Sequence, residues 1–450
     1  MENNKKVSLL EKISYGSGNM GICLATTIIS TFIMYFYTDV IKLGLIQVGT
    51  IMMMGGIADA VSDMLMGIIV DHTKSRFGKC RPYIMAFAVP LAVVCFFMFH
   101  IPTADEGTKY VYALVTYILY TLAYTAVLIP QNVLLTAITD NDKDRLGINM
   151  FGSLGTNFGQ LAVAAFALTL VKVLGKGNEY AGYGAVATIF GIIGAILIFI
   201  DGFNTRERMN LASAKKISLM DSIKAMNNGP WIICTLTSLF TIAVVVIKAQ
   251  TTVYFAGNVL NNEGIATTLL SISNVIGIPI TFCIPFLASK LGKRNLVWAG
   301  TVFSIVGSIG TLVGKEAVGL VILFSVISSV GLAFINGIIY VMCAESIDYG
   351  EWKNGVRVQG FLMAFIGFAI KIANSLVSML ITVVLNMGGY VGGAAVQTAS
   401  AIRAIEFCYI GLPVILMAGV LIINIFYHLD QQYADIRKEL EDRRAAYTAA

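Results

Sequence analysis

Apolar stretches of roughly 20 residues recur along almost the whole chain, and each is long enough to cross the ~30 Å hydrocarbon core of a bilayer. Of the 450 residues, 57% are hydrophobic and 13% are charged, which is too little charge to cover the surface of a soluble protein. The 43 glycines are typical of helices that approach one another closely in lipid. The sequence therefore predicts an all-α membrane protein embedded in a lipid bilayer, with no nucleic-acid partner.

Twelve transmembrane helices are predicted, at 13–38, 43–70, 82–101, 109–138, 146–172, 182–202, 231–257, 265–288, 295–313, 317–343, 358–387 and 404–427. The longest polar interruption follows the sixth of them. We therefore expect four parts: an N-terminal six-helix half at 1–203, a cytoplasmic central loop at 204–230, a C-terminal six-helix half at 231–428 and a cytoplasmic tail at 429–450. The tail has the pattern of a solvated amphipathic helix.

Positive charge predicts the orientation of the spans. Basic residues cluster after spans 2, 4 and 8 and in the tail, whereas the alternate loops carry only scattered lysines. The stretch Met1–Lys6 lacks the pattern of a signal peptide, so the first span should be retained. We expect a multi-pass protein of the cell (inner) membrane with both termini in the cytoplasm.

A weak internal repeat favours two related halves. The chain reads Arg76-Phe-Gly-Lys-Cys-Arg81 after span 2 and Lys290-Leu-Gly-Lys-Arg294 after span 8, each a glycine turn inside a basic cluster. Two six-helix halves with a solute site between them describe the major facilitator fold.

Two carboxylates lie inside the second span. Asp59 and Asp63 are four residues apart, so they share one helix face, and an ionisable group at membrane depth is a functional candidate by default. Two carboxylates at low dielectric do not both stay ionised unless a cation joins them or one keeps a proton. This pattern predicts a monovalent-cation site for Na⁺ or H⁺, with Ser62 as a further ligand. The alternative is that both acids lie at a helix end, face water or pair with Arg81.

Other charged residues fall inside or at the edges of spans. Lys371 in span 11 is expected to serve the cation or the solute, or else an ion pair. Lys248 in span 7 is expected to face the cavity, or else to extend toward the membrane surface. The segment between spans 10 and 11 holds charges that suit a cytoplasmic gate between the halves, or else a solvated loop. These charges are Glu345, Asp348, Glu351 and Arg357, with Arg145 as an opposing charge.

Several other chemistries are excluded. His72, His100 and His428 are far apart, there is no GxxxxGK[ST] phosphate loop, and the seven cysteines show no metal-ligand or disulfide spacing. We expect no enzymatic activity, no cofactor, and no metal apart from a sodium ion at the aspartate pair.

A family resemblance rests on five stretches that together cover nearly the whole chain. They are Ser14-Tyr-Gly16, Tyr35-Phe-Tyr-Thr-Asp39, Asp59-Ala-Val-Ser-Asp63, Arg76-Phe-Gly-Lys-Cys-Arg-Pro82, and Asp348-Tyr-Gly-Glu-Trp-Lys353 with Arg357. The chain resembles the glycoside–pentoside–hexuronide:cation symporters, which include melibiose permease and the bacterial glucuronide permease.

The resemblance implies roles for particular residues. Asp59 and Asp63 would bind the coupling cation, joined by Thr125 of helix 4, while Tyr124 would neighbour the solute. Ser62 stands at a position that tunes sodium use, so sodium and proton both stay open. Lys371 matches a helix 11 lysine of the family. The charged positions of the cytoplasmic gate match Arg145, Glu345, Asp348, Glu351 and Arg357.

The solute pocket departs from that of melibiose permease. Cys23 and Leu128 stand where that protein has sugar-binding aspartates, and Asn132 stands where it has a tryptophan. Lys248 and Lys371 would attract a carboxylate, so the expected cargo is a hexuronide or related glycoside, carried with the cation by alternating access. A carrier of lysolipids or other amphiphiles on the same fold is the alternative. A membrane sensor is disfavoured because no domain for signalling is visible.

Overall fold

The computed structural model describes residues 7–139, 141–208, 226–354, 359–394 and 396–449, and the regular structure in these ranges is entirely helical. Polar caps begin several of the helices: Ser8 and Glu11 form a capping box at the first, and Asn178 caps the sixth. The first six helices are α1 (Leu9–Tyr35, continued by a π-helical turn Phe36–Val40), α2 (Leu45–His72), α3 (Arg81–Phe99), α4 (Glu106–Ile138), α5 (Asp142–Gly175) and α6 (Glu179–Asn204).

Seven further helices follow in the described part of the chain. They are α7 (Gly229–Tyr254, with a π-helical turn Phe255–Val259), α8 (Gly264–Leu291), α9 (Lys293–Val313), α10 (Val318–Asn354), α11 (Gln359–Met387), α12 (Ala399–Ile425, with a π-helical turn Phe407–Gly411) and α13 (Leu429–Ala449).

Eleven of the described helices are long and apolar enough to cross a membrane. The bent pair Gly264–Ile280 and Phe282–Leu291 raises the number to twelve if it is one span. Pro279 and Pro285 lie in this helix, and each removes a backbone hydrogen bond. The predicted all-α membrane fold is confirmed, and twelve spans agree with it.

The structure contradicts one alternative prediction and corrects part of another. The segment Glu345–Lys353 is the last part of α10 and not a solvated loop, because the helix continues beyond the apolar span to Asn354. The tail is a helix, as predicted, but it is not solvated all round. Leu429, Ile436 and Leu440 are buried in a hydrophobic cluster with residues of α7, α9, α10 and α12.

The chain forms two compact units. The first comprises Met1–Ala214, Asn262–Asn274 and Ser378–Ala404, and its helices are packed at glycines. A Cβ on Gly155 would lie 1.9 Å from the carbonyl oxygen of Gly16, so α1 and α5 touch backbone to backbone. A Cβ on Gly49 of α2 would lie 2.1 Å from the Thr382 hydroxyl of α11.

The second unit comprises Lys215–Asn261, Val275–Val377 and Ile405–Ala450. Here α9 and α10 cross closely, since a Cβ on Gly331 would lie 2.3 Å from the Gly300 carbonyl oxygen. The division into halves at 1–203 and 231–428 stays a prediction.

Candidate functional site

The second and fourth helices are held together one turn away from the aspartate pair. Gly55 of α2 is buried, and a Cβ there would lie 2.1 Å from the ring of Tyr117 on α4. A larger residue at this position would require the Tyr117 ring to move. The α2 face that carries Asp59 and Asp63 meets α4 at Thr125.

Thr125 lies between both carboxylates. Its hydroxyl oxygen is 3.1 Å from Asp59 Oδ1 and 3.0 Å from Asp63 Oδ1, and the Ser62 hydroxyl is 2.9 Å from it. Thr125 and Ser62 are buried, with 2% and 7% exposure, whereas the two aspartates are partly exposed. The structure thus brings together all four residues predicted as cation ligands, and their role as ligands stays a prediction.

The Thr125 hydroxyl cannot donate to both carboxylates at the same time. The Thr125 hydroxyl has a single proton, so it donates to one carboxylate, and its lone pairs accept from donors only. The other carboxylate oxygen at about the same distance is a donor only if it is protonated. A small cation bound among these oxygens is equally compatible with the two short distances.

The Arg81 guanidinium does not pair with the two aspartates in the way that the alternative prediction required. It donates to backbone carbonyls. Arg81 Nε donates to the Gly202 carbonyl at 2.8 Å, and its Nη2 donates to the Phe203 carbonyl at 3.1 Å. The arginine therefore ties the start of α3 to the end of α6.

Four of the residues predicted to line the solute pocket lie in the first unit, and they differ in how close they are to the aspartates. Tyr124 is partly buried, stacks on Tyr120 with ring centroids 5.9 Å apart, and lies near both aspartates and Cys23. Cys23 faces Thr156 and packs on Gly159, where a Cβ would lie 2.8 Å from the cysteine Cβ. Leu128 is partly buried, and Asn132 is exposed, so the cluster close to the aspartates is formed by Tyr124 and Cys23.

Lys248 points into the second unit. Its ammonium donates to the Ser328 hydroxyl at 2.6 Å and lies 5.8 Å from the ring centre of Tyr409. The alternative prediction that Lys248 extends toward the membrane surface is therefore wrong, because its charge is held by α10 and α12. Lys371 is partly buried on α11, and its predicted role stays a prediction.

Three of the predicted gate residues have a partner within their own unit. Arg145 Nη2 donates to the Thr139 carbonyl at 3.1 Å. Glu345 pairs with Lys293 at 2.5 Å, and Asp348 accepts the Tyr433 hydroxyl of α13 at 2.9 Å. Glu351 lies on the same last turns of α10, and Arg357 lies outside the described residues.

Two buried or hydrogen-bonded acidic residues were not predicted as site residues from the sequence. Asp39, quoted there only as part of a motif, accepts the Tyr390 hydroxyl at 2.6 Å and the Gly393 amide at 3.0 Å. Asp201 in the last turns of α6 has 0% exposure. Asp201 could have been predicted, because it is an acidic residue inside the predicted span 182–202. It lies next to the polar central loop, however, where an acidic residue is expected to be solvated.

Known proteins resemble the chain over almost its full length. The family model described as MFS/sugar transport protein matches residues 14–431. The isoprimeverose transporter of Lactiplantibacillus pentosus is 33% identical, over 98% of this chain and 92% of its own length. Escherichia coli YagG, named as a glycoside/cation symporter, is 28% identical over 98% of this chain and 96% of its own length. The glucuronide carrier protein homolog of Escherichia coli is 25% identical, over 98% and 97% of the two chains.

A solved structure shows the same fold. The crystal structure of a D-xylose-proton symporter superposes with a TM-score of 0.67, covering 91% of this chain and 96% of its own, at 14% identity. This supports the predicted major facilitator fold, and the family resemblance read from the five motifs is confirmed. The chain belongs to the MFS/sugar transport protein family and, within it, to the glycoside–pentoside–hexuronide:cation symporters.

Proposed function

We propose that this sugar transporter couples uptake of a glycoside to a monovalent cation held by Asp59, Asp63, Ser62 and Thr125. The observation that carries the proposal is the Thr125 hydroxyl, which lies 3.0–3.1 Å from an oxygen of each aspartate. A cation or a proton neutralises the negative charge of the aspartate pair. This lowers the free-energy cost of exposing the pair to a low-dielectric region when the carrier changes conformation.

The coupling is reciprocal. If the cation tightens glycoside binding, the glycoside tightens cation binding by the same factor, typically about 5- to 150-fold. A carrier that alternates between two conformations then moves both together, because only the empty and the doubly loaded forms interconvert readily.

The glycoside is proposed to be a hexuronide or a related sugar. Lys248 supports this, since its ammonium is bound by a serine hydroxyl and an aromatic ring, so it offers positive charge to a sugar carboxylate. The glucuronide carrier homolog among the relatives agrees with such a cargo.

The coupling test uses purified protein in proteoliposomes, with sodium and proton gradients imposed separately and a panel of labelled glycosides and uronides. Asp59→Asn and Asp63→Asn should lose accumulation against a gradient while keeping exchange of solute at equilibrium. Asp105→Asn is the matched control, because Asp105 is an exposed helix cap and asparagine caps equally well. Accumulation by both aspartate variants at the wild-type level would contradict the proposal.

The cargo test compares a glucuronide with the matching glucoside. Lys248→Gln should weaken uptake of the glucuronide by about tenfold or more and change uptake of the glucoside little, as expected for loss of a charge-assisted contact. Lys438→Gln, at an exposed tail position, is the control. Equal losses for both sugars would remove the uronide assignment and leave cation coupling untouched.

A further inference from the structure

A second acidic site lies in the first unit, away from the aspartate pair of α2. Asp201, in the last turns of α6, has 0% exposure, and so does Gln131 of α4. Gln131 is the polar side chain that faces the Asp201 carboxyl. Burying an ionised carboxylate costs several kcal/mol unless a cation or several donors compensate for the lost water.

The space for this carboxyl is made by a glycine. A Cβ on Gly18 of α1 would lie 2.2 Å from Asp201 Oδ2, so α1 presents bare backbone to the acid. One turn earlier, the Tyr15 hydroxyl donates to the backbone carbonyl of Gln131 at 3.3 Å. The acid is thus enclosed where α1, α4 and α6 meet.

Three basic side chains at this end of the unit have other partners. Arg81 of α3 donates to the carbonyls of Gly202 and Phe203. Arg208 pairs with Glu11 at 2.8 Å, and Lys12 pairs with Asp144 at 2.7 Å. Among the described residues, no basic side chain forms an ion pair with Asp201, and the titratable groups that face it are Tyr15 from α1 and Arg81 from α3.

The hydrogen-bonding capacity of the two side chains favours a protonated Asp201. Within the described part of the chain, the Asp201 carboxyl oxygens and the terminal atoms of Gln131 are buried without a partner in hydrogen-bond geometry, although the two side chains face each other. A carboxylate offers acceptors only, so it would leave the Gln131 carbonyl oxygen without a donor. A carboxylic acid donates to that oxygen and accepts from the amide nitrogen, which satisfies both groups.

We propose that Asp201 binds a proton and forms a two-point acid–amide pair with Gln131, as a protonation site separate from Asp59 and Asp63. The ligand of this site is a proton, and the pair joins α6 to the same helix that carries Thr125, six residues away. Loss of the proton leaves a carboxylate against the carbonyl oxygen of Gln131 and weakens the α4–α6 contact. This inference stands whether or not the pair on α2 binds the coupling cation.

The first test is infrared spectroscopy of the full-length protein in lipid at neutral pH. A hydrogen-bonded, protonated carboxyl band should be present in the wild type and absent from Asp201→Asn. It should persist in Asp59→Asn, which distinguishes it from any proton on the α2 pair. Gln131→Leu keeps the acid but removes its partner, so the same band should shift to the position of a carboxyl without a hydrogen bond. Asp201→Asn spectra identical to those of the wild type would overturn the proposal.

The second test is the thermal stability of the same proteins across pH. A proton held by the folded state and released by the unfolded chain makes stability fall as pH rises above the ordinary aspartate value of about 3.9. Asp201→Asn should remove this part of the slope, because asparagine pairs with Gln131 at every pH. An unchanged slope in Asp201→Asn would contradict the proposal, and so would a wild type without the carboxyl band.

Discussion

Glu207 accepts the backbone amide of Arg81 at 3.1 Å, so a residue just beyond α6 caps the first turn of α3. The same carboxylate accepts the amides of Lys79 at 2.7 Å and Cys80 at 2.8 Å. In return, the Arg81 side chain binds the last carbonyls of α6. The two helices therefore cap each other.

The second unit repeats this arrangement. Asp430, in the first turn of α13, accepts the backbone amide of Arg294 at 2.7 Å. The Arg294 guanidinium donates to the carbonyls of Asn424 at 3.1 Å and Ile425 at 2.8 Å. Gly78 and Gly292, with φ of 104° and 80°, make the turn before each helix. The faint repeat in the sequence thus corresponds to a shared pair of features: a carboxylate that accepts the arginine amide and an arginine side chain that donates to two helix-end carbonyls.

Glu207→Gln should lower the free energy of unfolding by about 2 kcal/mol, because it removes the charge from an acceptor that serves three amides at a helix N-terminus. Thermal or denaturant unfolding in detergent micelles measures this. Glu316→Gln, at an exposed position, is the control. Equal stability of the two variants would show that the cap contributes nothing.

Cys80 should react with maleimide only at high pH. Burial, and then the nearby Glu207 carboxylate, raise the pKa of the Cys80 thiol to about 12. The thiolate fraction is therefore about 10⁻⁴ at pH 8 and rises about tenfold per pH unit until the pKa is reached. A protein with Cys80 as its single cysteine is compared with one whose single cysteine is Ser75→Cys, an exposed position in the same loop. Similar rates for the two proteins at pH 8 would contradict this expectation.

Thr125→Val should reduce cation affinity by about 10- to 100-fold, since it removes a hydroxyl that lies 3.0–3.1 Å from both carboxylates. Thr121→Val is the matched control, because Thr121 is buried on the same helix and its hydroxyl donates to the Ile118 carbonyl. Cation-dependent uptake measures the effect. A loss of the same size in Thr121→Val would point to helix packing and not to the cluster.

Tyr390→Phe should loosen the segment that follows α11. The Tyr390 hydroxyl donates to Asp39 at 2.6 Å, and the Gly393 amide donates to the same oxygen at 3.0 Å. Hydrogen exchange of the peptide around Gly393 should become about tenfold faster, as expected for loss of a bond to a charged group. Tyr110→Phe serves as the control, and unchanged exchange in Tyr390→Phe would show that the loop is held by other contacts.

Removal of two tail contacts should make α13 easier to cleave. Tyr433 donates to Asp348 at 2.9 Å, and Trp352 donates to Glu439 at 2.8 Å, so α13 is bonded to two residues of the predicted gate region. Tyr433→Phe combined with Glu439→Ala should increase trypsin cleavage at Arg437 about tenfold. Tyr433→Phe combined with Asp435→Ala, an exposed tail position, retains the Glu439 contact and should show a smaller increase. Equal cleavage rates in the two double variants would show that the Trp352–Glu439 hydrogen bond does not stabilise the docking of α13.

Much of the cation cluster could be predicted from the sequence. Helical periodicity alone places Asp59 and Asp63 on one face of α2, because residues four apart lie one turn apart. Thr125 came from the family resemblance, since nothing local in α4 indicates that its hydroxyl meets α2. The close approach at Gly55 and Tyr117 makes that contact, and it is a property of two helices packed together.

The sequence by itself determined the membrane class, the approximate spans and the acidic face of α2, because hydrophobic length and helical period are local properties of the chain. Only the tertiary structure decided that Lys248 points to Ser328, that α13 docks on α10, and that Asp201 is enclosed with Gln131. Each of these depends on which distant residue lies across a helix–helix contact. The cost of a buried charge is set by that neighbour and not by the chain on either side of it.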